Sequence, residues 1–129
     1  MTRLLGGVLA SNIAYDPQGR LSAHGIFNVL QHHGVFVFQH PIYAIVTLLD
    51  VTPGAHKVGI SVSEHATVVA PTINFEVSNG TALIAIAIQH CELRQAGQYK
   101  FFAEVDGNRL DGNIVLTYLL PPEPPPIES

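Results

Sequence analysis

Between Tyr99 and Asp106 apolar and polar side chains take turns: Tyr99, Phe101, Ala103 and Val105 share one parity, Lys100, Phe102, Glu104 and Asp106 the other. A period of two sends neighbours to opposite sides of a pleated ribbon, so this stretch predicts a half-buried strand. Asp106-Gly107 supplies the positive φ that a tight hairpin requires, and a return strand is expected from Leu110 through Ile114, Leu116 and Tyr118. Tyr99 follows Gly97 by two residues. A tyrosine opening a strand there can bury its ring and turn its hydroxyl onto the preceding turn, as in a tyrosine corner; the plain reading is an aromatic at a strand start.

The same period recurs upstream. Residues 4–14 read as a first strand bent at Gly6-Gly7, and Asp16-Pro17-Gln18-Gly19 as a turn. Residues 21–31 form the next segment, with Gly25 marking a bulge or a close backbone approach. Val35 to Phe38 lead to Pro41, which cannot donate to a ladder. His56, Val58, Ile60 and Val62 alternate with Lys57, Gly59, Ser61 and Ser63, and Ile73, Phe75 and Val77 with Asn74, Glu76 and Ser78. Asn79-Gly80 is a turn signal. Two segments differ. Residues 42–51 are nearly all apolar, and residues 83–88 set Ile84, Ile86 and Ile88 on one side and Leu83, Ala85 and Ala87 on the other, so both sides look dry.

Short strands between turn signals, without a helical period, predict an all-β chain. The expected form is a two-sheet antiparallel immunoglobulin-like sandwich of seven to nine strands; a small barrel is the alternative. Residues 1–120 are one domain. Residues 121–129 carry five prolines and predict an extended tail that a protein partner could read as a docking peptide.

Composition narrows the function. Charged residues make up 12% of the chain, about half the usual share, which a surface partly covered by another molecule would explain. Six Lys and Arg are spread singly, so nucleic-acid binding is not expected. No segment reaches the ~20 apolar residues of a membrane span. Cys91 is the single cysteine, which excludes an internal disulfide and favours a reducing compartment. The expected location is cytoplasmic, with a secreted, extracellular or virion assembly as the alternative. The start could imitate a short signal peptide ending at Ala10, but its glycine-interrupted apolar run reads better as an uncleaved strand.

Taken together, several stretches resemble a small bacterial family of β-sandwich proteins known only as a domain of unknown function. They are Leu5-Gly6-Gly7-Val8-Leu9-Ala10, the turn at Asp16 to Gly19 with the Leu21 to Phe27 stretch behind it, and the Pro41 segment. Pro53 to Val58, and Gly97 to Phe101 with Val105-Asp106-Gly107, complete the order. The likeness spans residues 4–120. It implies an immunoglobulin-like sandwich and brings no catalytic or ligand residues; the histidines near His32 and the proline tail stand outside it.

Among the residues that could carry chemistry, His32, His33 and His40 lie close enough in sequence for a loop to gather them round a divalent metal, although no fixed ligand spacing is present. Locally hydrogen-bonded histidines are the plain alternative, and His56, His65 and His90 read as strand residues at sheet ends. Asp106 to Gly112 lacks the spacing and closing glutamate of a calcium loop. Cys91 and His90 are strand neighbours pointing to opposite faces, as are Glu64 and His65, so neither makes a local catalytic pair. No enzymatic activity and no cofactor are expected.

What remains is surface. If Ile84, Ile86 and Ile88 face the core, Leu83, Ala85 and Ala87 face outward, and Tyr43, Ile45 and Leu49 or their neighbours pose the same problem. Such patches mark contact sites; the plain alternative is that the tail, the Val35 to Phe38 segment or a loop covers them within one chain. The expected function is therefore a non-enzymatic sandwich that associates with itself as a structural or adaptor subunit. The alternatives are a metal- or small-ligand-binding domain using the three histidines, and a filament or virion subunit.

Overall fold

A computed structural model describes residues 2–78 and 80–122, so Asn79 and residues 123–129 of the proline-rich stretch lie outside the described residues. The described chain is all-β. Its strands in order are β1 (Arg3–Tyr15), β2 (Leu21–Phe27), β3 (Val29–Gln31), β4 (Phe36–Val37), β5 (Ile42–Leu49), β6 (Gly54–Val62) and β7 (Ala66–Val69). β8 (Ile73–Val77), β9 (Ala82–Ile88), β10 (His90–Leu93), β11 (Gly97–Val105), β12 (Asn108–Arg109) and β13 (Ile114–Leu119) follow.

Three open sheets result. The first runs β2-β1-β5-β9, the second β3-β13-β11-β6-β8 with β12 paired to β11, and a short third runs β4-β10-β7. Every pairing is antiparallel except β13 with β3, which is parallel. Leu9, Ala44, Val46, Leu48, Ile84, Ile86 and Ile88 of the first sheet join Val58, Tyr99, Phe101, Ala103, Ile114, Leu116 and Tyr118 of the second in one core, with Cys91 and Leu93 from the third. Alternation is the cause: in β11 and β13 the buried residues are every second one.

The sheets approach closely at Gly7, where a Cβ would fall 2.7 Å from the Ile114 side chain and 3.1 Å from the Ile45 carbonyl. At Gly25 the backbone is left-handed (φ 66°) and a Cβ would fall 2.8 Å from Ser11 Oγ, the close approach expected there. Tyr99 is buried, and its hydroxyl donates to the Gln95 carbonyl at 2.5 Å and accepts from the Gln95 N–H at 3.2 Å. That satisfies the turn ahead of β11 from within the core.

Several expected elements are divided. Residues 21–31 are not one strand: the chain breaks at Asn28, β2 pairing with β1 and β3 with β13. The hairpin return is split as well, because Asp111-Gly112-Asn113 separates β12 from β13, with Leu110 buried between them. The strand read at His90 and Cys91 is β10, which carries the line of β9 past Gln89 into the third sheet; β7 has no counterpart in the period-two reading, and His65, read as a strand residue, sits in the turn before it.

Candidate functional site

The first sheet has two apolar faces. Its registers align Ala10, Tyr43 and Ala87 in one row, Val8, Ile45 and Ala85 in the next, and Gly6, Thr47 and Leu83 in a third. Leu9, Ala44 and Ile86, of opposite parity, belong to the core, so these rows form the outer face. Ala10 and Ile45 confirm the geometry: both are buried, yet neither belongs to the core cluster, because their neighbours in the rows cover them.

All six residues expected at an interface share this face: Tyr43, Ile45 and Leu49 on β5, and Leu83, Ala85 and Ala87 on β9. Alternation did not identify Leu5, Val8 and Ile26 as companions. Leu5 is the extra residue of a register shift between Leu4 and Gly6, and past such a bulge parity no longer reports the face. Leu5 is 65% exposed, Ile26 60%, Leu83 56% and Val8 36%. No Asp, Glu, Lys or Arg occurs in residues 6–10, 42–49 or 82–88.

The outer side of the second sheet is different. Gly59 pairs with Glu104 and Ser61 with Phe102, the Arg109 guanidinium stands 4.1 Å over the Phe102 ring, and Lys57 and Lys100 add charge, while Val115 and Leu119 of β13 and Val29 of β3 are exposed toward the other edge. The Val35 to Phe38 segment, a possible cover for the first sheet, does not lie over it. Phe36 and Val37 pair with β10, and Phe36 and Phe38 pack on the core.

The histidine group is not assembled. His32, His33 and His40 are all exposed, the His32 ring stands edge-on to Phe36 at 5.1 Å, and no three His, Cys, Asp or Glu side chains form a metal-binding cluster among the described residues. His65 occupies a turn with φ 69°, and His90 lies on β10 with its ring 3.8 Å from Glu92.

His56 is the most constrained histidine. Nδ1 stands 2.6 Å from Asp106 Oδ2 and Nε2 2.6 Å from the Thr52 carbonyl. Both partners accept, so the ring donates from both nitrogens, and its pKa is raised above 6.5 by Asp106 first and Thr52 second. Asp106 is in turn lowered below 3.8 by His56 and by the Lys57 N–H, which donates to Oδ1 at 2.9 Å. An open cleft bordered by Arg3, Leu5, Asp106, Arg109 and Asp111 lies beside this pair. With both nitrogens engaged, His56 offers no lone pair to a metal or a substrate proton; it is a clip between two turns. Cys91 is 1% exposed, and burial pushes its thiol up to about 12, so it is no nucleophile in the folded chain.

No curated protein matches the sequence. A family model does match, over residues 7–114, and takes in β2, β5 and β9 whole and β1 from Gly7 onward. The chain belongs to the family described as "Family of unknown function (DUF6941)".

Proposed function

We propose that this chain is a non-catalytic, immunoglobulin-like β-sandwich that acts by associating with copies of itself through its first sheet. The observation that carries the reading is the difference between the outer faces: the second sheet mixes Lys57, Lys100 and Glu104 with exposed Val29, Val115 and Leu119, whereas the first is uncharged over three adjacent strands and uncovered by the described residues. Leaving Leu5, Ile26 and Leu83 in water is unfavourable at roughly 25 cal/mol per Å² of apolar surface, and covering them removes that penalty. The immunoglobulin-like assignment draws support from Tyr99, whose hydroxyl turns back four residues to the Gln95 backbone.

Multi-angle light scattering across a dilution series tests the association. The expected mass is a whole multiple of the chain mass, and Val8→Asp with Leu83→Asp lowers it to one chain while far-ultraviolet circular dichroism stays unchanged. A wild-type chain that is monomeric at every concentration overturns the proposal.

A further inference from the structure

Each sheet has edges, and most are guarded. β2 is bent at the left-handed Gly25, β3, β4 and β7 are four residues or fewer, and β8 carries Glu76 and follows Pro71. β9 is unlike them: seven residues, Ala82-Leu83-Ile84-Ala85-Ile86-Ala87-Ile88, without charge, glycine or proline. Among the described residues it pairs on one side only, with β5.

The direction of its free groups follows from the two ends. The Val51 N–H, just past β5, donates to the Gly80 carbonyl, so even-numbered positions turn toward β5. The Gln89 N–H donates to the Val69 carbonyl of β7, and β7 lies across β10 from β4, so odd-numbered positions turn the other way. Backbone groups alternate sides along an antiparallel strand, so Leu83, Ala85 and Ala87 present N–H and C=O groups to the open edge. The proline-rich stretch of this chain is a poor occupant, because proline has no N–H to donate.

We infer that β9 pairs antiparallel with β9 of a second copy, joining two four-stranded sheets into one eight-stranded sheet about a two-fold axis at Ala85. Full overlap then sets Ala85 against Ala85, Leu83 against Ala87, Ile84 against Ile86 and Ala82 against Ile88. Leu83, the large outward residue, meets an alanine. The register opposes no like charges, and the contact closes as an isologous pair instead of growing into a fibre. Edge pairing makes the backbone hydrogen bonds that a stacked contact cannot, and it lays the two uncharged outer faces side by side as one continuous surface without covering it.

This inference rests on the association proposed above and names its geometry, and disulfide trapping separates the two. In an antiparallel pair Ala85 and its mate stand ~5.5 Å apart, within disulfide reach, whereas Leu83 and its mate are offset by four residues, ~13 Å, and cannot be bridged. Mild oxidation of Ala85→Cys in the full chain is expected to give a covalent dimer on a non-reducing gel; Leu83→Cys and the second-sheet control Val115→Cys are expected to stay monomeric there. Buried Cys91 does not interfere. Ala85→Pro, tolerated on an edge but lacking the outward N–H, is expected to halve the mass seen by light scattering; if it fails to fold, the cysteine variants decide. A wild-type multimer whose Ala85→Cys form does not cross-link, or cross-links no better than Leu83→Cys, overturns edge pairing and leaves association through the outer face standing. A monomeric wild type overturns both, and a mass that rises without limit with concentration overturns the closed two-fold.

Discussion

His56 and Asp106 join turns fifty residues apart, and their protonation states set when that joint is strong. His56 is raised above 6.5, so its contribution is complete below the unfolded value and is lost as pH climbs through the folded one. Asp106 is lowered below 3.8, so its contribution is complete above that value and fades as pH falls through the lower folded value. Both operate between pH 3.8 and 6.5. The melting temperature lost on His56→Ala is therefore expected to be largest in that window and to shrink on either side, as differential scanning fluorimetry across pH would record. A loss independent of pH would refute the charged clip. At this scale the sequence was informative where partners are local. Tyr99 and Gln95 are four residues apart, and a tyrosine behind Gly97 put the backward-turned hydroxyl beside the plain strand-start reading; its bonds to Gln95 decide between the two. The His56 clip was invisible, because its carboxylate arrives from another hairpin and its carbonyl, at Thr52, carries no side-chain signature.

Among the elements, β1 shows how one position can decide whether two sheets fit. Gly6 has open space where a Cβ would stand, whereas a Cβ on Gly7 would press on buried Ile114 and on the Ile45 carbonyl, which its own ladder holds in place. Gly7→Ala is expected to destabilise by about 1–3 kcal/mol, the usual range for overpacking. Gly6→Ala should be neutral or should stabilise by up to about 1 kcal/mol, since strand glycine is entropically expensive. Urea unfolding of the two variants checks the pair, and equal effects would show that the sheets are not in contact at Gly7. Period-two reading located the long strands: β5, β9 and β11 from Tyr99 onward keep one parity in the core, and in β6 Val58 is buried with Ile60 and Val62 packed against it. It could not see where a strand passes from one sheet to another, at Asn28 or Gln89, because parity reports which side is buried and not which neighbour is bonded. The same limit hid Leu5 and Val8: the bulge at Leu5 shifts the parity of β1 partway along its length.

For the whole molecule, the face and the edge of the first sheet bear on stability as well as on size. If folding and assembly are coupled, the pair exists only when two chains meet, and its melting temperature must rise with concentration. A tenfold increase in protein is worth about 1.4 kcal/mol to a dimer, or a few degrees for a domain of this length. Wild type is expected to show that slope, and Ala85→Pro, without edge pairing, to melt at one temperature whatever its concentration. The two chains then separate the contributions. What Ala85→Pro keeps at high dilution is the stability of the core built round Tyr99, Phe101 and Tyr118. What wild type adds on concentration belongs to β9 and to the uncharged rows beside it. A flat wild-type profile, with a dimeric mass at room temperature, would mean that the pair separates into folded single chains before either one unfolds, so that the contact adds nothing at the melting temperature.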